Sequence, residues 1–477
     1  MTDTKGGWRE LLAGDHALAL AVFTGGVALQ AIEFFIGSTI LPSVVADIGG
    51  LELFAWNATV FVVASIFASI FAALRPFGIG PRGAYVAAAT GFALGSLICG
   101  IAPNMEIMLV GRTVQGFGAG LTAAMSYTMI RIVFPERLWG HAFALISGVW
   151  GIATLIGPAI GGIFAAFDAW RWAFLGIVPL AALLGVLAVR VIPKSSDERA
   201  PQGFPLFQIL LLVGAVFAVS VASILTESAI LPALLVGLAV LAVIALGVID
   251  RHREPRLFPR GTFTISSGLS ALYATMVLIN VAIACDMFVP LFLQRLHGQS
   301  PLVAGYMIAL VALGWSASSM VVSGWSASRA RLALICGPAL QFLSIAGLAI
   351  FMGQDNSSGT FAPLVPVGIA LVLLGAGIGI AWPHISTRLL QAAPEGERDL
   401  TSASISMVQQ FAGGFGAAFA GVVVNAAGLA SGKGIPATIN ASNWLYGLFA
   451  IVPLVAVPIV WAMVRKEQAR TEAQPAE

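Results

Sequence analysis

The chain has 477 residues, of which 58% are hydrophobic and only 10% are charged, and its formal net charge is +2. About a quarter of the residues of an ordinary soluble domain are charged, so this composition excludes a soluble globule. The small net charge gives no electrostatic reason to expect a nucleic-acid partner. The three cysteines, Cys99, Cys285 and Cys336, lie inside apolar runs. We therefore expect buried thiols, with no disulfide framework, metal or other cofactor.

Fourteen stretches are long and apolar enough to cross a membrane, which takes roughly 20 mainly apolar residues per helix. They predict an all-α integral membrane protein with fourteen transmembrane helices. Only Thr226, Glu227 and Ser228 separate the seventh stretch from the eighth. A twelve-helix alternative would place these two in the membrane interface, which their length argues against. The stretches are residues 17–43, 53–74, 83–102, 105–131, 139–166, 171–192, 205–226, 229–249, 263–294, 302–324, 331–352, 361–387, 400–428 and 441–464.

The basic residues predict the orientation, because cytoplasmic loops are enriched in Lys and Arg. With the N-terminus in the cytoplasm, twenty of the 24 basic residues fall on that side of the membrane. Arg171, Arg295 and Lys433 fall outside, and Arg112 lies within a helix. The first sixteen residues are polar and lack a cleavable signal pattern. The sequence therefore predicts a multi-pass protein of the plasma (inner) membrane with both termini in the cytoplasm.

Two polar segments, 193–203 and 250–256, divide the predicted helices into sets of six, two and six. The first helix of each six-helix set ends in a similar segment, in which Pro42 aligns with Pro290 and Gly50 with Gly298. A repeat at that place predicts two six-helix pseudo-repeat halves with two additional linker helices. The predicted divisions are a cytoplasmic tail at 1–16, the first half at 17–192, the linker with its two helices at 193–260, the second half at 261–464 and a cytoplasmic tail at 465–477.

Glycines recur at helical spacing in the fourth and fifth predicted helices. Gly116 lies four residues before Gly120 on the helix face of Arg112, and small residues at that spacing let two helices in lipid approach closely. The fifth helix has a proline among three glycines, which favours a bend and close packing. Both sets fit either a conformational change or a static helix contact. The residues of the second set are Gly157, Pro158, Gly161 and Gly162.

These patterns resemble the major facilitator superfamily, and within it the fourteen-helix drug:proton antiporters, over nearly the whole chain. The resemblance implies alternating access between two halves and drug export coupled to protons. The chain departs from the family pattern in the loop 73–82, which has no acid, and at Glu33, which stands where this branch has an aspartate nine residues before the proline. The matching residues are Arg112, Gln115, Gly116 and Gly118 in the fourth helix, with Gly157, Pro158, Gly161 and Gly162 in the fifth.

Three charged residues lie well away from the ends of the predicted spans: Glu33, Arg112 and Asp286. Such charges are rare and are functional-site candidates. At about 1.5 Å per residue, Glu33 and Arg112 lie about 13 and 10 Å below the same membrane surface, a depth at which they could pair. We expect them to couple proton movement to transport, and Asp286 to form a second proton site or attract cationic substrates. The alternatives are a permanently neutral or salt-bridged glutamate and a structural, hydrogen-bonding aspartate.

Polar and aromatic side chains at mid-membrane depth are candidates for substrate binding, since aromatic rings attract cations and amides orient ligands. Packing or lipid contact is the alternative for each of them. The candidates are Gln30, Tyr127, Trp150, Tyr273, Asn280, Trp315 and Gln409.

The sequence thus predicts a monomeric, proton-coupled transporter that exports small amphipathic or cationic organic compounds by alternating access, as in multidrug efflux. Its partners would be the small-molecule substrate, protons and the lipid bilayer. Uptake or exchange of a specific metabolite is the alternative, because nothing in the sequence fixes the direction. An enzyme is not predicted, because no His, Cys and carboxylate residues cluster at the spacing of a metal or catalytic site.

Overall fold

The computed structural model describes residues 7–50, 53–74, 80–192, 205–225, 230–429 and 434–473. Within these ranges all regular structure is helical and no strand occurs, so the predicted all-α class is confirmed. The polar segment 193–203, the turn at residues 226–228 and Arg75 of the loop 73–82 lie outside the described residues. The side chain of Pro158 does so as well.

The first group of helices includes one that is broken in two at Gly176, between α7 and α8. A 3-10 turn, Glu136–Leu138, leads into α6. The helices are α1 (Gly7–Leu11), α2 (Gly14–Ile48), α3 (Phe54–Leu74), α4 (Pro81–Ile101), α5 (Met105–Val133), α6 (Trp139–Ala166), α7 (Trp170–Leu175) and α8 (Ile177–Val191).

The second group also has one interrupted helix, in which the 3-10 turn Ala284–Phe288 joins α11 to α12. The helices are α9 (Leu206–Ile224), α10 (Ile230–His252), α11 (Gly268–Ile283), α12 (Val289–Leu296), α13 (Pro301–Val322), α14 (Ala327–Phe351), α15 (Leu364–Gln391), α16 (Arg398–Ala426) and α17 (Gly434–Ala473).

Twelve helical segments of the described chain are long and apolar enough to cross a membrane, with α7 and α8 forming one of them and α11 and α12 another. Two further long helices are not among the twelve. The longest unbroken run of described side chains in helix α3 is the apolar stretch Thr59–Ser69, and the mean hydropathy of α5 is lowered by Arg112, Gln115 and several glycines. A multi-span membrane protein is therefore established, and the count of fourteen stays a prediction.

The chain forms two compact units that do not follow the chain order strictly. Unit 1 comprises Met1–Val213, His252–Pro259 and Pro394–Gln410. Unit 2 comprises Gly214–Arg251, Arg260–Ala393 and Phe411–Glu477. Helix α16 therefore begins in unit 1 and continues in unit 2.

The glycines of α5 let this helix touch two neighbours at once. A Cβ atom at Gly116 would overlap the carbonyl oxygen of Phe61 on α3, and one at Gly120 would overlap that of Ser65. On another face of α5, a Cβ at Gly118 would overlap the backbone of α4 at Phe92. Close helix contact at the Gly116 and Gly120 spacing, as the sequence predicts, is confirmed as packing geometry.

The glycines of α6 differ from one another in their surroundings. A Cβ at Gly157 would lie 2.5 Å from Cβ of Phe35 on α2, and one at Gly161 would lie 3.0 Å from Cβ of Thr39. No atom of the described residues lies within 4 Å of a Cβ at Gly162. The expectation of close packing is therefore wrong for Gly162, because the next residue along a helix points about 100° away from the contact face.

The two segments of the weak repeat share a backbone feature, a positive φ at the glycine that ends each of them. Gly50 has φ +79° and Gly298 has φ +57°, a region of backbone conformation that favours glycine. A Cβ at Gly50 would overlap Met105, and one at Gly298 would lie 2.6 Å from the carbonyl oxygen of Ser357. Each glycine thus ends its segment in a tight turn against another segment of its own unit.

The cysteines follow expectation at two of three positions. Cys99 and Cys285 are buried. Cys336 is exposed, so the predicted burial is wrong there, because this face of α14 also exposes Leu332 and Leu343. An apolar face of this kind is typical of a helix side that meets lipid.

The two environments in α6 give a matched test of the helix contact. Gly157→Ala should lower the free energy of unfolding by about 1–3 kcal/mol relative to Gly162→Ala, because only the first inserts a methyl group into an occupied contact. Both substitutions bring the same gain in helix propensity, about 1 kcal/mol. Thermal unfolding of the purified variants in detergent measures the difference, and equal stabilities would contradict the contact.

Candidate functional site

Unit 1 holds a buried ion pair between α2 and α5. Nη1 of Arg112 contacts Oε1 of Glu33, and the two side chains are 3% and 0% exposed. The predicted meeting of these residues is confirmed. A buried ion pair is stable only when its geometry and its additional hydrogen bonds offset the free-energy cost of removing both charges from water.

Three further groups hold the guanidinium of Arg112. Its Nη1 donates to Oε1 of Gln115 over 2.8 Å, and its Nε donates to the carbonyl oxygen of Asn57 over 3.4 Å. Its Cζ lies 4.4 Å from the centre of the Phe61 ring, a cation–π contact. Arg112 is therefore fixed by α3 and by its own helix as well as by Glu33.

The carboxyl group of Glu33 is paired at one oxygen only. Oε2 is buried and has no hydrogen-bond partner among the described residues. The pair lies against Gly37, where a Cβ would be 3.4 Å from Oε1 of Glu33 and 3.5 Å from Nη1 of Arg112. One oxygen thus faces a cation while the other has its lone pairs free to take a proton.

The C-terminal end of α5 makes polar contacts with residues 394–410, which also belong to unit 1. Arg131 forms an ion pair with Asp399, and Oγ1 of Thr128 lies 3.2 Å from Oγ of Ser402. The hydroxyl of Tyr127 donates to Oε1 of Gln409 over 3.2 Å. The structure therefore brings together two predicted substrate-binding residues, Tyr127 and Gln409, in one contact.

The other predicted substrate-binding residues of unit 1, Gln30 and Trp150, lie on α2 and α6. The Tyr127 ring stacks on Phe143 with centroids 5.5 Å apart, so the ring is engaged in packing as well. Gln30 is buried and its Oε1 has no hydrogen-bond partner among the described residues. Trp150 on α6 is half-buried. Of these, the Gln30 amide oxygen is free to accept a hydrogen bond from a ligand.

Asp286 lies in the 3-10 turn that interrupts the first helix of the second set, and its side chain is half-buried. The sequence predicts one span at 263–294, and one helical span is found at Gly268–Leu296, but the turn within it is not predicted. The turn is followed by Pro290 near the start of α12, where the missing N–H and fixed φ of proline suit a helix start. No hydrogen bond or ion pair reaches the Asp286 carboxylate within the described part of the chain.

The remaining candidates of unit 2 are buried to different degrees. Asn280 donates its amide to the carbonyl oxygen of Met276, over 2.7 Å, within its own helix. Tyr273 is buried on the same helix. Trp315 is half-buried, meets Trp382 edge-on at 6.2 Å, and its Nε1 has no partner among the described residues. The Trp315 N–H is thus the free donor of this set.

Sequence reasoning left Ser96, Asn57 and Phe61 out of the site. Phe61 and the backbone of Asn57 contact Arg112 directly, and Ser96 accepts a hydrogen bond from Gln115. No signal in the sequence distinguishes these three from other serines, asparagines and phenylalanines in apolar helices. Gln115 itself belongs to the family pattern of the fourth predicted helix. Its place in that pattern is the sequence signal that could have added it to the site.

A helical membrane protein with a buried, hydrogen-bonded ion pair in its spanning segments fits the class of carriers that move small molecules across a bilayer. The sequence profile of the Major Facilitator Superfamily matches residues 22–417. The chain belongs to this superfamily of transporters, and it is accordingly a transporter and not an enzyme.

Three comparisons describe its neighbours. A probable multidrug-efflux transporter of Mycobacterium tuberculosis is 35% identical over 96% of this chain and 97% of its own. The multidrug efflux pump SdrM of Staphylococcus aureus is 25% identical over 77% of this chain and 78% of its own. The crystal structure of the human organic anion transporter MFSD10 has a TM-score of 0.67 and 13% identity, and covers 93% of this chain and 99% of its own. The last comparison concerns the fold alone.

The ion pair predicts a non-additive effect on stability. Arg112→Met should lower the free energy of unfolding by about 3–5 kcal/mol, because it leaves a buried carboxylate without its cation. The double variant Arg112→Met with Glu33→Gln should lose less than the sum of the two single variants, because no charge is then left unpaired. Unfolding of the four proteins in detergent measures this coupling, and additive losses would show that the pair does not interact.

Proposed function

We propose that this chain is a proton-coupled exporter of small amphipathic or cationic organic compounds that works by alternating access. The observation that carries the proposal is the fully buried Glu33, which has one oxygen on Arg112 and the other without a hydrogen-bond partner among the described residues. The names of its relatives, a probable multidrug-efflux transporter and a multidrug efflux pump, support export as the direction.

The chemistry follows from the two charge states of Glu33. When Glu33 is ionised, its attraction to Arg112 holds α2 against α5. When Glu33 takes a proton at the unpaired oxygen, the carboxyl is neutral and that attraction is lost. A proton taken from the outside and released to the cytoplasm would then drive one cycle of substrate movement in the opposite direction.

The proposed topology is the one that the sequence predicts. We assign fourteen spans, with six-helix halves at 17–192 and 261–464 and two linker helices within 193–260, in a protein that functions as a monomer. Helices α3 and α5 are the two spans added to the twelve, since α3 has 21 residues and α5 has 29. Both termini would then face the cytoplasm, which agrees with the positive-inside distribution of the basic residues in a plasma membrane.

The glycines assigned to conformational change are Gly116, Gly157, Gly161 and Gly162, together with Pro158. Gly116 joins α5 to α3, and Gly157 and Gly161 join α6 to α2, the helix of Glu33. We propose that these helix contacts shift when the charge of Glu33 changes. Gly162 would contribute backbone freedom only, because its surroundings are open.

Substrate contacts are assigned to the polar and aromatic residues of each unit taken separately. In unit 1 these are Gln30, Tyr127, Trp150 and Gln409, and in unit 2 they are Tyr273, Asn280 and Trp315. The free amide oxygen of Gln30 and the free N–H of Trp315 support the assignment most directly, because a buried polar group without a partner gains from a ligand that supplies one.

Neutralising Glu33 tests proton coupling. Purified protein in proteoliposomes should move tetraphenylphosphonium against its gradient when a pH difference is imposed, and Glu33→Gln should reduce that flux to the level of protein-free vesicles. Glu33→Asp should retain coupling, because it keeps the carboxyl group.

The matched control is Glu106→Gln, the same chemical change at an exposed acid in the first turn of α5. This variant should transport like the unmodified protein. Unchanged pH-driven flux in Glu33→Gln would refute the coupling role. Flux of a metabolite in the opposite direction would instead favour uptake or exchange.

Replacing Asp286 tests whether the protein prefers cationic substrates. Asp286→Asn should weaken binding of lipophilic cations about fivefold or more, because a unit charge at about 4 Å contributes about 1 kcal/mol even in water. Affinity for neutral amphipathic compounds should stay the same. Equilibrium binding to the purified protein measures both, with Asp355→Asn, an exposed aspartate in a loop, as the control. Equal loss for cations and neutral compounds would contradict charge attraction.

A further inference from the structure

The polar contacts of Arg112 continue into α4 through two fully buried side chains. Nε2 of Gln115 donates to Oγ of Ser96 over 2.8 Å, and Oγ of Ser96 donates to the carbonyl oxygen of Phe92, also over 2.8 Å. Gln115 and Ser96 are both 0% exposed. The chain of hydrogen bonds therefore begins at the backbone of α4 and ends at the guanidinium beside Glu33.

The direction of each bond in this chain is determined. A serine hydroxyl has one hydrogen, and Ser96 donates it in the hydrogen bond to the Phe92 carbonyl oxygen. The Ser96 oxygen can then only accept, so the NH₂ group of Gln115 must face it. The carbonyl of Gln115 therefore points at Arg112, which has donors and no acceptors. A reversed amide would place its NH₂ group against the guanidinium and leave two buried donors without an acceptor.

The same nitrogen of Arg112 serves both acceptors. Nη1 contacts Glu33 and also donates to Gln115, which a guanidinium nitrogen with two hydrogens can do. When Glu33 is protonated, Arg112 loses its anionic partner but keeps the Gln115 carbonyl. Gln115 therefore matters most in the state of the cycle in which the arginine would otherwise be a buried charge without a strong acceptor.

Close backbone contact between α4 and α5 fixes the distance between Ser96 and Gln115. A Cβ at Gly95 would overlap the backbone nitrogen of Gln115, and one at Gly111 would lie 2.7 Å from Sγ of Cys99. Helices α4 and α5 are thus in direct contact on both sides of the Ser96 bond. The hydroxyl has little freedom to move away from the amide.

We propose that Ser96 is a positioning residue for proton coupling: it sets the orientation of the Gln115 amide, and through it the position of Arg112 opposite Glu33. The proposal rests on the proton coupling proposed above. It predicts that Ser96 affects the use of the proton gradient and leaves substrate binding unchanged, because its hydrogen bonds are to Gln115 and to the Phe92 carbonyl oxygen.

The test compares driven and undriven transport in proteoliposomes with tetraphenylphosphonium as the probe. Ser96→Ala, and Ser96→Cys as a variant of nearly unchanged size, should lower accumulation driven by a pH difference about tenfold, as expected for a lost hydrogen bond in a charged network. Equilibration of the probe down its own gradient and its binding affinity should change less than about twofold. Ser147→Ala, a buried serine of α6 with the same bond to a carbonyl one turn earlier, is the control and should match the unmodified protein.

A second comparison separates positioning from general damage. If Ser96 acts through Gln115, the double variant Ser96→Ala with Gln115→Leu should be no worse than Gln115→Leu alone. Additive losses, or an equal loss of driven and undriven transport in Ser96→Ala, would overturn the proposal. If the unmodified protein shows pH-driven flux that Glu33→Gln abolishes and Ser96→Ala does not lower, only this inference fails. If the unmodified protein shows no pH-driven flux, the proposed function fails with it.

Discussion

A buried cation and a buried anion in the same bundle are the constraint on which the rest of unit 1 depends. Neither Glu33 nor Arg112 meets solvent, so each depends on the other and on the polar groups around them. A lone charge at this depth would cost several kcal/mol. The neutral acceptors around Arg112 do not replace Glu33, but they keep the cation solvated by protein when the carboxyl is neutral. Under the proposed proton coupling, that property would let the pair change charge without loss of the local structure.

The close helix contacts are what bring those acceptors within reach. The Asn57 carbonyl and the Phe61 ring belong to α3, and α3 lies close enough to α5 because Gly116 has no side chain at the contact. Ser96 reaches Gln115 because Gly95 allows α4 to touch α5. The charged pair therefore depends on the glycine pattern. The small residues let the helix backbones approach closely, and the backbones supply and hold the groups that a buried arginine needs.

Much of this was predictable from the sequence, and the remainder was not for physical reasons. Length and hydropathy predict most of the spans, and helical depth predicts that Glu33 and Arg112 meet. The break at Asp286 was missed, since an apolar run has the same hydropathy whether its helix is continuous or interrupted. Ser96 was missed because its role depends on which helix lies opposite it. The open surroundings of Gly162 and the exposure of Cys336 likewise depend on helix rotation, which a run of apolar residues on all faces leaves undetermined.

The two intramembrane acids differ in a way that bears on the substrate. Glu33 lies in an unbroken helix with a resident cation, so its charge is balanced from within the protein. Asp286 lies at a helix break, is half-buried, and has no ion pair within the described residues. A carboxylate without a resident partner gains most from a cation that arrives with the substrate. This asymmetry supports separate proposed roles for the two acids. Glu33 would bind and release the proton, and Asp286 would select cationic over neutral compounds. A chain with symmetric acids would have to separate the two proposed roles by other means, whereas here the two acids already differ in local backbone and in ion pairing.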